Sequence, residues 1–168
     1  MSIATSVDAG MLALLDLGAS CVKVARRDKK PVGFSWDKSA TRDACRIATW
    51  LDDGYNVGLL CGTGSLIDVE FDDAEGEQLL HDLGLADIVT PTWTSGRGEH
   101  RLFRLTDAMP AKGWIKRGGL EVRLGGKPAQ SVLPPSVHPT GARYSWVISP
   151  ADVAPAAVTL ADLVGGVR

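Results

Sequence analysis

Residues 66–71 read Leu66-Ile67-Asp68-Val69-Glu70-Phe71. Apolar and acidic residues alternate, which is the pattern of a half-buried strand. Successive side chains on a strand point to opposite faces. Ile67, Val69 and Phe71 then pack on one side, while Leu66, Asp68 and Glu70 share the other. Two carboxylates on one face of an otherwise apolar strand repel each other, and hard divalent cations are a fitting compensation. A bare Asp-x-Glu pair more often sits on a solvated face or beside arginines, so its meaning depends on the rest of the chain.

Working outward, Asn56–Cys61 is a second apolar run, and Gly62-Thr63-Gly64 reads as a turn. The two runs are expected to pair as a hairpin. Upstream, the spacing predicts a helix over 8–18 that stops at Gly18, and a short strand over Cys21–Ala25. A loop follows from Lys29-Lys30-Pro31 to Trp36. A second helix, with Thr41 as N-cap, ends near Leu51. Downstream, a helix is predicted over Asp73–Leu83. Strands are predicted over Thr92–Ser95, Arg101–Leu105, Leu120–Leu124, Ala129–Leu133 and Arg143–Val147, with a closing helix over Val158–Leu163. Helices come early and strands late, which points to an α+β fold with a mainly antiparallel sheet.

The chain has 168 residues, 45% hydrophobic and 23% charged, enough for one domain with a real core. Its formal net charge of −2 argues against a protein that wraps duplex DNA through overall basicity. Any contact with nucleic acid must use a local patch or bound cations. Lys23, Arg26, Arg27, Lys29 and Lys30, or Lys112, Lys116 and Arg117, are the candidate runs. Cys21, Cys45 and Cys61 have neither disulfide nor zinc spacing and read as reduced thiols. No apolar run reaches the ~18 residues of a membrane span, and no signal-peptide design opens the chain. A cytoplasmic protein is expected. Leu163-Val164-Gly165-Gly166 reads as the start of a linker, so residues 1–168 are expected to form one domain at the front of a longer protein. No glycine-rich nucleotide loop is present.

Three further stretches carry polar chemistry. Ser95-Gly96-Arg97-Gly98-Glu99-His100 sets a histidine at the mouth of a strand after a glycine-rich loop, with Arg97 and Arg101 nearby to meet phosphate. Leu120-Glu121-Val122-Arg123 puts Glu121 and Arg123 on one strand face. Pro134-Pro135-Ser136-Val137-His138 fixes Ser136 and His138 on a stiff loop. Taken singly, the histidine segment reads rather as a surface loop, Glu121 and Arg123 are also readable as a salt bridge along one strand, and the proline loop is equally a structural corner or a substrate contact.

In this order the segments resemble the bifunctional DNA primase/polymerase domains of plasmids, phages and integrated elements, in the archaeo-eukaryotic primase superfamily. The resemblance covers roughly residues 10–165. It implies an RRM-like primase palm with an N-terminal α/β unit. It implies two divalent ions, Mg²⁺ or Mn²⁺, held by Asp68, Glu70 and Glu121 as catalytic residues. It implies nucleotide binding by His100, and Arg97, Arg123, Ser95, Ser136 and His138 are candidate contacts beside it. The implied activity is template-directed nucleotidyl transfer with dNTPs or NTPs on single-stranded DNA, alongside a helicase domain or partner. Two positions depart from the family pattern: Glu121 stands where aspartate is usual, and Gly98 where serine is usual. Two other functions remain open on the same residues. One is a non-catalytic nucleotide or single-strand binding module; the other is a metal-dependent nuclease.

Overall fold

The computed structural model describes residues 7–165. The expected linker begins at Gly165, and its remaining residues lie outside that range. Helix α1 (Ala9–Asp16) starts at Asp8, whose side chain accepts from Met11 N. Strand β1 (Cys21–Val24) follows, then α2 (Ala44–Asp52) and β2 (Asn56–Leu60). The cap of α2 is Asp43, not Thr41: Asp43 accepts from Cys45 N. Thr41 is drawn away because its backbone bridges to Cys21.

Strand β3 (Leu66–Phe71) leads into α3 (Ala74–Asp82), capped by Asp73. Then come β4 (Thr92–Thr94), β5 (Glu99–Leu105), β6 (Trp114–Arg117), β7 (Leu120–Arg123), β8 (Gln130–Val132), β9 (Ser145–Ile148) and β10 (Ala156–Val158), closed by α4 (Leu160–Val164). The α+β expectation holds, and all strand pairs but one are antiparallel; β10 runs parallel to β5. Strands β6 and β10 are additions to the sequence reading. β6 is mostly solvent-facing and β10 is three residues long, so neither carries a strong pattern.

The expected hairpin between β2 and β3 does not form. β2 pairs with β1 and β8 in a three-stranded sheet, whereas β3 lies between β7 and β5 in a seven-stranded one. Between them Gly62, Gly64 and Ser65 all have positive φ, which turns the chain out of one sheet and into the other. A side chain at Gly62 would strike the backbone of Gly125, where the two crossings touch. The N-terminal α/β unit is therefore not built from N-terminal residues alone, since its third strand comes from β8.

The large sheet is packed on both faces. Ile67, Val69, Phe103, Leu105, Leu120 and Val122 bury one face under α3 and α4. Leu66, Trp93 and Leu102 on the other face join a second cluster with α1, α2, β1 and β2. Each fully buried aliphatic or aromatic side chain contributes roughly 1.5–3 kcal/mol. The polar site sits where that second cluster ends.

Candidate active site

Strand register builds the site. On β3, Glu70 lies opposite His100 of β5 and Glu121 of β7, and Asp68 lies opposite Arg123. Opposed residues in a ladder point to the same face. One face at the sheet centre thus gathers Asp68, Glu70, His100, Glu121 and Arg123. Trp93, opposite His100 on β4, stacks on the imidazole with centroids 4.7 Å apart and planes 5° from parallel. Its indole Nε1 donates to Val132 O, so the ring that sets the histidine is itself tied down.

Asp68 has no exposed surface. Its Oδ2 accepts from His100 Nδ1 at 2.8 Å and from Ser131 Oγ at 2.6 Å. Arg123 Nη1 stands 3.5 Å from the same oxygen. Burial alone pushes this carboxyl up, but the charges of His100 and Arg123 and the hydrogen bonds from His100 and Ser131 together hold it below the ordinary aspartate range. With Asp68 ionised, Nδ1 of His100 carries the proton. Nε2 then faces Glu70 Oε1 at 3.6 Å. The other oxygen of Asp68, Oδ1, is buried with no partner.

Arg123 reaches all three acids. Its Nη2 is 2.6 Å from Glu70 Oε2, a contact of charges off the hydrogen-bonding direction. Its Nε donates to Glu121 Oε1 at 2.9 Å, and its Nη1 to Ser131 Oγ at 3.1 Å. Burial works against the guanidinium charge, but Glu70, Asp68 and Glu121 more than restore it and keep the group protonated. Lys116 of β6 makes a second, more exposed contact with Glu121 at 3.4 Å.

Three hollows share Lys29 and Glu70 as lining residues. One of about 270 Å³ is walled by Trp36, Trp114 and Tyr144 over His100, Glu121 and Arg123. A second of about 330 Å³ runs along Lys116, Gly118, Gly119 and Glu121. A third of about 170 Å³ is formed by Ser95, Arg97, Gly98 and His138. His138 Nδ1 accepts from Thr140 N, which leaves Nε2 to carry the proton of the neutral ring. Burial, then the charges of Lys29 and Arg97, push its pKa down.

The structure thus brings together Asp68, Glu70, Glu121, His100 and Arg123, and sets Ser95, Arg97 and His138 in the adjoining hollow. Ser136 stands apart: its hydroxyl is bound to the backbone N–H and carbonyl of Val57, joining loop to strand. At Gly98 a Cβ would stand 3.0 Å from Phe71 O, so the serine usual in the family would sit hard against β3. Ser131 was missed, as a serine in a short apolar strand gives no sign that it reaches across to the other sheet. Lys29 stood out only as part of a basic run. Trp36, Trp114 and Tyr144 come from three distant segments.

Among the described residues, Asp68, Glu70 and His100 each offer one ligand atom within 4.8 Å of the others. The orphaned Oδ1 of Asp68 and this oxygen-and-imidazole donor set fit a divalent cation. Fold and site together define an α+β protein with an Asp–Glu–His cluster able to hold a metal on one face of its large sheet, where the packing against the smaller sheet ends. The chain belongs to the bifunctional DNA primase/polymerase N-terminal family, whose profile matches residues 11–158. Membership implies nucleotidyltransferase-type activity, DNA and nucleotides as substrates, and dependence on a divalent metal. No curated protein matches the chain. No helix among the described residues is long and apolar enough to cross a membrane.

Proposed function

We propose that the protein is a template-directed nucleotidyltransferase that both primes and extends DNA from nucleoside triphosphates, with Mg²⁺ or Mn²⁺. The observation that carries this reading is the buried Asp68 carboxylate: one oxygen is fixed by His100 and Ser131, the other is unpartnered, and Glu70 and His100 bring ligand atoms within 4.8 Å of the group. Leaving a buried carboxylate oxygen unpaired is costly unless something else completes it. A divalent ion there supplies Lewis-acid stabilisation of the α-phosphate and lowers the pKa of the attacking hydroxyl. Asp68 and Glu70 would hold that ion, and His100 would complete the donor set through an unprotonated Nε2. Glu121, at the edge of the cluster, would help hold the second ion of a two-metal site.

The three hollows divide the substrates between them. Lys29, Arg97, Ser95 and His138 line the one suited to the triphosphate, since a guanidinium, an ammonium and an imidazole N–H all donate to phosphate oxygens. Trp36, Trp114 and Tyr144 offer flat apolar walls for base and sugar. The primer terminus or an initiating nucleotide enters along Lys116 and Gly119, in the hollow that Glu70 also lines. His100 keeps its Nδ1–H on Asp68 throughout, so the carboxylate is held in one orientation.

A template-directed synthesis assay tests the reading, using a single-stranded template with and without primer, labelled dNTPs or NTPs, and Mg²⁺ or Mn²⁺. Wild type should give product, and the Asp68→Ala/Glu70→Ala double variant none. Metal-dependent nucleotide binding with no product in any lane would instead favour a non-catalytic binding module. Loss of the input strand without added triphosphate would favour a nuclease.

A further inference from the structure

Arg123 occupies an unusual place for a phosphate-binding arginine. Its guanidinium is engaged on three sides by Glu70, Glu121 and Asp68, and its Nη1 is anchored on the buried hydroxyl of Ser131. Ser131 in turn donates to Asp68, so arginine, serine and aspartate form a closed frame that joins the two sheets. Its Nε and Nη1 are committed to Glu121 and Ser131, while its Nη2 meets Glu70 by charge alone.

Charge counting gives this frame a consequence. Asp68, Glu70 and Glu121 bring three negative charges, Arg123 cancels one, and a His100 that ligates through Nε2 is neutral. Lys116 is mostly in solvent, where its charge is screened. The balance left is two negative charges, which one divalent ion neutralises. A second ion would bring surplus positive charge beside the guanidinium, unless phosphate oxygens arrived with it. Divalent ions of the magnesium type are commonly held by one or two carboxylates together with substrate phosphates.

We propose that Arg123 is a built-in cation whose charge takes the place of a second ion while no nucleotide is bound. The nucleotide-free site then takes one divalent ion, on Asp68, Glu70 and His100, and a second enters only together with a triphosphate. Arg123 is in this sense a positioning and stoichiometry-setting residue rather than a phosphate ligand. The inference rests on the metal site proposed above, but concerns ion number rather than synthesis.

The test is Mn²⁺ binding to the full chain without nucleotide, read by electron paramagnetic resonance and isothermal titration calorimetry. Wild type is expected to bind one ion per chain, and two when a non-hydrolysable nucleoside triphosphate is added. Arg123→Met is expected to bind two without nucleotide. The double variant Arg123→Met/Glu121→Gln, which removes one charge of each sign, is expected to return to one. Two ions on nucleotide-free wild type, or one on folded Arg123→Met, would overturn the proposal. Should Arg123→Met fail to fold, Arg123→Gln, which loses the charge and keeps a polar group near Ser131, takes its place with the same expectation of two ions. The two readings fail separately. Active synthesis with two ions on the free protein sinks only the role of Arg123. No ion bound in any state and no synthesis sinks the metal site itself.

Discussion

The two faces of the large sheet are written by the same strands, one residue out of phase. Ile67, Val69, Phe103 and Val122 point one way into a closed hydrocarbon core. Asp68, Glu70, His100 and Arg123 point the other way into a polar frame. The first face gains stability from every carbon it buries. The second buries carboxylates and an imidazole, which costs desolvation and is offset by pairing and hydrogen bonds. One face therefore holds the sheet together so that the other can keep a close set of paired charges in register.

That contrast can be broken by experiment. Asp68→Asn keeps the shape and loses the charge. Synthesis should fall about a thousandfold or more, while the thermal melting curve stays close to wild type. A collapse of the melting temperature would mean that the polar face also carries the fold. Ile67→Ala, one position away on the opposite face, should do the reverse. It should cost about 2–5 kcal/mol in a denaturant titration, with Mn²⁺ affinity of the folded protein unchanged in the cold. If Mn²⁺ affinity drops in parallel, the two faces are not independent.

Two smaller effects sharpen the comparison. Ser131→Ala removes a hydroxyl from behind the reacting groups, and Mn²⁺ affinity should weaken about tenfold with little change in secondary structure by circular dichroism. An unchanged affinity would make Ser131 a packing residue only. The last concerns Cys61, next to Ser131, whose thiol is pushed up to about 12, first by burial and then by Asp68. An unfolded thiol ionises near ~8.5. The folded pKa is raised, so this contribution to stability is full below that value and is lost as pH climbs toward the folded pKa. The stability gap between wild type and Cys61→Ala, read by denaturant titration, should therefore narrow from pH 8 to pH 11. A constant gap would show that Cys61 meets solvent.

Much of this was legible without coordinates. Alternation over 66–71 names the strand and separates Asp68 and Glu70 from Ile67, Val69 and Phe71, because side-chain direction on a strand has period two. The helices over α1 and α3 follow from apolar spacing, though the cap of α2 moved from Thr41 to Asp43 when a backbone bridge claimed Thr41. The order of acidic, histidine and acidic segments resembled the family that the chain proves to belong to.

Pairing was beyond the sequence. β2 and β3 look like a hairpin, since nearness in sequence is the one guide a sequence offers. Three positive-φ residues within four positions, Gly62, Gly64 and Ser65, instead divide them between two sheets. Strand register, a long-range property, set Glu121 against Glu70 and Arg123 against Asp68. It alone decided that Arg123 faces carboxylates instead of solvent, and that Ser136 binds Val57 while Ser131 reaches Asp68. Local pattern fixes which way a side chain points, because that depends only on backbone geometry. What it points at depends on loop closures between distant segments, which no local pattern encodes.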